Sequence, residues 1–285
     1  MTELLERLKD GILLLDGAIG TMLMERGMKG GETPETWVLD HPGDVASVHK
    51  AFFDAGADIV ITNTLGGTSI KLEHFGLSGK VNEINEKAAE LVRKVCPEGR
   101  FIAGDIGSTG KMLKPYGDAT EGDLLQAFDQ QARALKEGGV DLFIIETMID
   151  LSEALIAVDA ALPLGLPVFA CVTFDKKPKG YFTMMGQSPQ DVVVALAERG
   201  ASAVGTNCSL KIGDMVGLVG EFSKATDVPI IAQPNAGRPN EVVDGPDVFE
   251  NRLPDLIFAG ARVVGGCCGT TPEAIRRMRG VIDGM

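Results

Sequence analysis

The chain has 285 residues, of which 45% are hydrophobic and 24% are charged, and its formal net charge is −13. This length can bury a substantial core, and the composition is that of an ordinary globular protein. Nucleic acids and anionic lipid surfaces attract basic proteins, so the acidic balance argues against both as partners. Five cysteines do not make a disulfide scaffold in a chain of this length, and we expect thiols that are free for metal binding or catalysis.

The N-terminal stretch MTELLERLKDGILLLDG has no basic segment or cleavage signature of a secretory signal. Its longest apolar run is far shorter than the roughly 20 residues that a membrane-spanning helix needs. We therefore expect a cytoplasmic protein with no membrane contact. The sequence leaves the oligomeric state open.

Apolar runs of strand length alternate with helical patterns along the whole chain. The predicted strands are residues 12–16, 58–63, 101–105, 142–146, 167–174, 202–207, 229–235 and 262–266. The clearest helical patterns are residues 44–56, 121–139, 188–200 and 271–280. Ser188 and Thr271 each precede a proline, which predicts that they are N-caps with proline in the first turn.

A short phrase recurs before several strands: DAGAD, EGGVD, ERGAS and FAGAR. Each is typical of a helix that ends on glycine, followed by a tight turn and a buried strand. Eight such units predict a (β/α)8 TIM-type barrel of the α/β class, as one domain over residues 1–285. An open doubly wound sheet is the alternative, but no glycine-rich dinucleotide fingerprint follows the first strand.

In a barrel of this kind the active site lies at the carboxyl ends of the strands. That rule selects a set of polar residues: Asp16, Asn63, Asp105, Glu146, Thr173, Asn207, Cys208, Asn235, Cys267 and Cys268. Most of these side chains are of types that bind metals or hold polar ligands.

Cys208 follows the sixth predicted strand, and Cys267 and Cys268 follow the eighth. Closing the barrel brings these ends within reach of one ion, and three thiolates form a ligand set for zinc with one coordination position open. Glycines on both sides of the Cys267–Cys268 pair supply the backbone freedom that adjacent ligands require. A zinc ion with three thiolates is a weak Lewis acid toward water but a good host for a further thiol, which predicts alkyl transfer to sulfur.

The remaining cysteines, Cys96 and Cys171, fit small buried side chains. His41, His49 and His74 fall on loop or helix stretches, and we interpret them as surface or helix-packing residues. A disulfide within the Cys267–Cys268 pair would be strained.

The motifs GGCCGTTPE and GTNCSL, together with LLLDGAIGTML, DIVITNTLGGT and AQPNAGRP, resemble those of the homocysteine S-methyltransferase family. The similarity extends over nearly the whole chain and is greatest to the homocysteine-binding module of cobalamin-dependent methionine synthases. It implies a (β/α)8 barrel in which Cys208, Cys267 and Cys268 ligate zinc and carry the catalysis, with homocysteine as the thiol substrate.

The same resemblance implies that Asp16, Gly17 and Glu146 hold the amino and carboxylate ends of homocysteine. Asn63, Asn207 and Asn235 also match the family motifs, and they are expected to orient the substrate or support the cysteines.

Family members take the methyl group from methylcobalamin, S-methylmethionine or betaine. This chain has few aromatic side chains to hold a small onium compound, so we favour methylcobalamin carried by a separate corrinoid protein. The loops at residues 27–43 and 175–187 are candidates for a docking rim. Three alternatives stay open: an onium donor, a homocysteine-binding subunit that is active only when a partner docks, and a different thiol acceptor.

Overall fold

The computed structural model describes residues 3–237 and 243–285, and it shows a (β/α)8 barrel, as predicted. The strands in the described chain are β1 (Leu13–Leu14), β2 (Ile59–Ile61), β3 (Phe101–Gly107), β4 (Leu142–Met148), β5 (Val168–Val172), β6 (Asp175–Lys177), β7 (Gly180–Phe182), β8 (Ala203–Lys211), β9 (Ile230–Asn235) and β10 (Ala261–Val264). All except β6 and β7 form one parallel sheet in the order β1-β10-β9-β8-β5-β4-β3-β2. A parallel bridge between Leu15 and Ile59 closes this sheet into a barrel.

Helices connect the strands and cover the outside of the barrel. They are α1 (Glu3–Asp10), α2 (Ile19–Glu25), α3 (Pro34–Asp40), α4 (Pro42–Asp54), α5 (Ser69–Glu73), α6 (Val81–Val95), α7 (Glu121–Glu137), α8 (Leu151–Ala161), α9 (Pro189–Arg199), α10 (Ile212–Ala225), α11 (Pro246–Ala259) and α12 (Pro272–Asp283), with short 3₁₀ turns at Ser78–Lys80 and Leu162–Leu164. An apolar core lies between these helices and the strands.

In each of the four recurring phrases the glycine that precedes the turn residue adopts the left-handed backbone conformation that the sequence predicts, whereas Gly138, the first glycine of EGGVD, has a φ of −70°. The left-handed φ angles are 102° at Gly56, 93° at Gly139, 106° at Gly200 and 119° at Gly260. Ser188 and Thr271 also act as predicted, because each side chain accepts a hydrogen bond from a backbone N–H in the first turn of its helix. The helix ends and helix starts at these positions are therefore determined by the local sequence.

The segment at residues 175–187 differs from the simple loop that its composition indicates. β6 and β7 pair antiparallel as a small hairpin, with Lys176 opposite Tyr181. Lys176 lies 2.7 Å from Asp214 and Lys177 lies 3.0 Å from Asp175, so two lysines of this segment already have carboxylate partners. Strands of three residues are too short for a period-2 pattern to reveal.

Inward-facing side chains fill the barrel with apolar layers up to the level of its carboxyl end. Leu13, Ile59, Phe101 and Leu142 belong to this inner cluster. α1 adds Leu4 and Leu8 to it, and so closes the amino end of the barrel. Within residues 3–237 and 243–285 the interior is thus a packed core below the carboxyl end of the barrel.

One buried carboxylate organises the amino end of the barrel. The Asp58 side chain is 1% exposed and lies 2.7 Å from Arg7 and 3.0 Å from Arg279, and it also pairs with Arg100. It accepts a further hydrogen bond of 2.9 Å from the backbone N–H of Leu14. Asp58 therefore joins α1, α12 and the starts of three strands.

Replacing Asp58 with asparagine should destabilise the protein by roughly 3–5 kcal/mol, because three arginines would lose the carboxylate that offsets their burial. Chemical denaturation of Asp58→Asn measures this. Asp54→Asn is the matched control, since Asp54 pairs with Lys50 where both side chains are more than half exposed. The control should cost less than about 1 kcal/mol. Equal costs for the two variants would contradict the role assigned to Asp58.

His49 is fully buried on α4, and neither ring nitrogen has a hydrogen-bond partner among the described residues. Burial lowers the pKa of His49 to about 3. The ring therefore stays neutral in the folded protein, whereas in the unfolded chain it binds a proton as the pH falls below about 6.5. Acid consequently favours the unfolded state through this residue.

Between pH 7 and pH 5 the unmodified protein should lose about 2 kcal/mol of unfolding free energy more than His49→Leu does. The physical reason is that only the histidine can take up a proton on unfolding. Urea denaturation of both proteins at several pH values in this range provides the measurement. Parallel pH profiles would show that the burial of His49 has no such cost.

None of the helices in the described part of the chain combines the length and the apolar character that crossing a lipid bilayer would require.

Candidate functional site

The three cysteines selected from the sequence meet at the carboxyl end of the barrel. The sulfur atoms of Cys208, Cys267 and Cys268 all lie within 4.8 Å of one another. β9 lies between β8, which carries Cys208, and β10, which precedes the cysteine pair. This cluster of three thiols fits a metal site.

Cys208 lies within β8 rather than after it, and this corrects the strand end that the sequence predicted. β8 pairs Asn207 with Gln233 and Lys211 with Asn235, so a step of four residues on β8 faces a step of two on β9. Cys208 and Ser209 sit in this bulge with φ angles of 61° and 51°. A bulge of this kind redirects a side chain, and here it accompanies the approach of the Cys208 sulfur to the other two.

The turn that carries Cys267 and Cys268 is hydrogen-bonded to the end of β9 and the residue after it. The Cys267 N–H donates to the Pro234 carbonyl at 2.9 Å, and the Cys268 carbonyl accepts from the Ala236 N–H at 2.9 Å. At Gly266 a Cβ atom would lie 2.2 Å from the Thr270 side chain, so the turn requires glycine there. The positions of the two sulfurs are thus set by the backbone.

Within the cluster Cys208 is the thiol that most readily becomes an anion. Hydrogen bonds from Cys267 and then Cys268 lower the pKa of Cys208 to about 2. The pKa of Cys267 is raised, first by its hydrogen bond to Cys208. α12 begins at Pro272, shortly after Cys268, with Thr271 as its N-cap, and the positive end of its dipole favours anionic sulfur nearby.

Asn207 links the cysteine cluster to the end of β4. Its side chain accepts a hydrogen bond from the Thr147 N–H and donates one to the Thr147 hydroxyl, both at 2.8 Å. The same amide nitrogen lies 4.0 Å from the Cys267 sulfur. Thr147 has a φ angle of 57°, which is unusual for a β-branched residue, and the two bonds hold it there. Asn207 therefore supports both Cys267 and the neighbour of Glu146.

A cavity of about 480 Å³ opens in front of the cysteines at the carboxyl end of the barrel. Of the residues that the sequence predicts for the site, those that line it are Gly17, Asn63, Glu146, Cys267 and Cys268. Asp16, Asn207, Cys208 and Asn235 are not among the lining residues. Asn235 is buried, and its side chain is hydrogen-bonded to Cys208. It therefore supports the sulfur cluster without lining the cavity.

Two of the predicted carboxylates are buried beside this cavity without a cationic side chain to offset them in the described structure. Asp16 accepts a hydrogen bond of 2.9 Å from the Ile61 N–H, while its Oδ1 atom has no partner among the described residues. Burial raises the pKa of Asp16. Burial also raises the pKa of Glu146 to about 7, although a hydrogen bond of 2.9 Å from Gln233 opposes the shift. Both groups would be stabilised as anions by a ligand cation.

The cavity also involves residues to which sequence reasoning gave no role. Asp105, which the strand-end rule selects without assigning it a function, lines the cavity from β3, and Gln233 lines it from β9. Glu35 reaches it from α3, inside the segment that the sequence predicted as a rim loop, and accepts a hydrogen bond of 2.6 Å from the Gly66 N–H. Side chains along a strand alternate between its two faces, so the predicted strand at residues 229–235 could have identified Gln233 as a residue that faces the barrel interior. No local pattern marks Glu35, because the fold of its segment brings it to the site.

Together, these features define a (β/α)8 barrel with a cluster of three thiols at its carboxyl end that could hold a metal ion. A family model for homocysteine S-methyltransferase matches residues 13–282. The chain belongs to this family.

Solved structures agree with that assignment. The homocysteine methyltransferase MmuM from Escherichia coli, in a metallated form, is 25% identical with a TM-score of 0.83, and the match covers 97% of this chain and 99% of that one. Its oxidized form is also 25% identical, with a TM-score of 0.82 and coverage of 98% and 99%. The carboxyl transferase domain of Rhizobium etli pyruvate carboxylase has 15% identity and a TM-score of 0.56 over 97% of this chain and 48% of that one, and shares the fold alone.

Removing one sulfur should abolish tight metal binding at the cluster. We expect Cys208→Ser to bind Co²⁺ or Zn²⁺ more than about 100-fold more weakly than the unmodified protein, since even the loss of an outer-shell partner costs roughly 10- to 100-fold. Competition with a chromophoric chelator measures the affinity. Cys96→Ser is the matched control, because Cys96 is a half-buried thiol outside the cluster. Equal affinities for the two variants would show that the cluster is not the metal site.

Proposed function

We propose that this protein transfers a methyl group to the sulfur of homocysteine and that Cys208, Cys267 and Cys268 hold a zinc ion for this purpose. The observation that carries the proposal is the convergence of the three sulfur atoms within 4.8 Å beside a cavity. Membership of the homocysteine S-methyltransferase family supports homocysteine as the acceptor.

The donor set favours zinc. Soft thiolate ligands select ions such as Zn²⁺, and three protein ligands leave one tetrahedral position for a substrate atom. When bound, zinc supplies the positive charge that lowers the pKa of an incoming thiol and lets it act as a nucleophile near neutral pH.

The rest of homocysteine fits the cavity beside the cysteines. Asp16 and Glu146 offer carboxylate oxygens to its ammonium group. The segment from Gly17 to Thr21 forms part of the wall, and its backbone N–H groups other than that of Ala18, which donates to the Thr270 carbonyl, suit the substrate carboxylate. Gly17 approaches its neighbours closely, because a Cβ there would lie 2.7 Å from the Thr270 carbonyl oxygen.

Asn63 contributes to the wall of the cavity in a different way. Its side chain donates a hydrogen bond of 2.6 Å to the Pro34 carbonyl at the start of α3. This bond ties the end of β2 to the segment that carries Glu35, so Asn63 holds that segment over the cavity.

The transfer is a displacement at carbon. The homocysteine thiol releases its proton to solvent, its sulfur attacks the methyl carbon, and the bond from that carbon to the donor breaks with both electrons leaving on the donor. The described side chains exclude water from below, since the barrel interior beneath the site is apolar and packed.

For the donor we favour methylcobalamin presented by a corrinoid protein. Phe75 supplies the sole aromatic ring among the cavity-lining residues of the described chain, which is little for holding an onium compound. Large apolar side chains are exposed on loops that follow the barrel strands: Leu65, Phe75, Met112, Tyr116 and Met184. Such side chains suit contact with a partner protein.

A small onium donor is the second candidate. Glu32, Glu35, Asp105 and Glu146 all line the cavity, and an acidic wall favours a positively charged donor. A third possibility is that the chain binds homocysteine but acts only when a partner docks.

A donor panel distinguishes the corrinoid donor from the onium donor. Zinc-loaded protein and homocysteine should form methionine from methylcobalamin, and Cys267→Ala should lower the rate at least roughly 1000-fold, because the loss of the bound metal removes thiol activation. Cys96→Ser should retain the rate of the unmodified protein. If methionine forms from S-methylmethionine but not from methylcobalamin, the methyl donor is an onium compound rather than a corrinoid. A Cys267→Ala variant with full activity would refute the zinc mechanism.

A further inference from the structure

Asp105 is a buried carboxylate that the proposed reaction does not yet use. It lies on β3, is 5% exposed and lines the cavity. Its Oδ1 atom is buried and has no hydrogen-bond partner among the described residues. A buried carboxylate oxygen without a donor is costly, and a ligand that donates to it would offset that cost.

Two other carboxylates beside it also have an oxygen to which no described residue donates. Asp16 Oδ1 is also buried without a partner in the described structure. Glu146 accepts a hydrogen bond from Gln233 on Oε2, and no described residue donates to its second oxygen. The three side chains come from the ends of β1, β3 and β4. Asp105 and Glu146 line the cavity, and Asp16 precedes the lining residue Gly17.

These groups are close enough to influence one another. Burial raises the pKa of Asp105, and the negative charges of Glu146, Glu35 and Asp16 raise it further. Glu35 differs from the other three, because Thr33 donates to one of its oxygens and Gly66 to the other. Asp16, Asp105 and Glu146 are therefore the carboxylates that keep at least one oxygen without a donor in the described structure.

We propose that Asp105 is a third acceptor for the ammonium group of homocysteine and that it determines selectivity for a primary amine. A primary ammonium has three N–H donors, and the three incomplete carboxylates supply one acceptor oxygen each. Asp105 thereby joins Asp16 and Glu146, and the inference rests on the proposed function. The ligand neutralises part of the negative charge that burial concentrates there.

In the ligand-free protein the buried Asp105 carboxylate should reduce the free energy of unfolding. The folded pKa of Asp105 lies above its unfolded value, so its carboxyl group lowers stability as the pH rises through the range between them. Asp105→Asn removes that charge without removing any hydrogen bond of the side chain within the described structure. The variant should therefore melt at the same temperature as the unmodified protein or higher, which also verifies that it folds.

The test compares homocysteine with 4-mercaptobutanoate, which is homocysteine without its amino group. Calorimetric titration of the zinc-loaded proteins measures binding without any methyl donor. Asp105→Asn should raise the Kd for homocysteine by about 10- to 100-fold, the effect of losing one charge-assisted hydrogen bond, and leave the Kd for 4-mercaptobutanoate unchanged. Asp105→Ala should do the same. Glu35→Gln is the matched control and should leave the ratio of the two Kd values unaltered.

The outcomes distinguish a failure of the role proposed for Asp105 from a failure of the proposed function. If Asp105→Asn weakens both thiols equally, or neither, Asp105 does not bind the ammonium group, and the proposed function is unaffected. If the unmodified zinc-loaded protein binds neither thiol, the proposed function fails and this inference fails with it.

Discussion

The site depends on the convergence of three sulfur atoms from two distant parts of the chain. Cys208 and Cys267 are far apart in the sequence, and only the parallel order β8-β9-β10 brings their segments together. Closure of the barrel fixes that order around a packed interior. The chemistry is therefore a consequence of the topology, because no local segment could form the cluster alone.

Buried carboxylates have cationic partners at the amino end of the barrel but not at the carboxyl end of the described structure. At the amino end Asp58 is surrounded by three arginines and a backbone N–H, so its charge is offset within the protein. At the carboxyl end Asp16 and Asp105 retain oxygens without partners in the described structure. The same fold thus carries a stabilising charge cluster at one end and an incomplete one at the other, which matches the division of stability and activity between the faces of such barrels.

The sequence was sufficient for features that depend on local chemistry. Apolar runs predicted the barrel strands, and glycine after each helix predicted turns such as those at Gly200 and Gly260, because only local sterics are involved. The cysteine cluster was predictable because a strand-end rule converts position in sequence into position in space. The bulge at Cys208 was not, since it arises from the pairing of β8 with β9. Glu35 was missed for the same reason, as its place depends on how α3 folds over the cavity.

The sulfur cluster and the carboxylates are mechanically linked. The Gly266 N–H, next to Cys267, donates to the Asp16 carbonyl at 2.9 Å. On the other side Asn207, next to Cys208, holds Thr147, the neighbour of Glu146, through two bonds of 2.8 Å. Backbone and side-chain hydrogen bonds thus join each cysteine segment to a segment that carries a carboxylate proposed to bind the ammonium group. A fixed spacing between the sulfur site and the ammonium site selects the length of the carbon chain that joins a thiol to an amine, so the rigidity of these links would itself contribute to the choice of homocysteine over a shorter thiol amino acid.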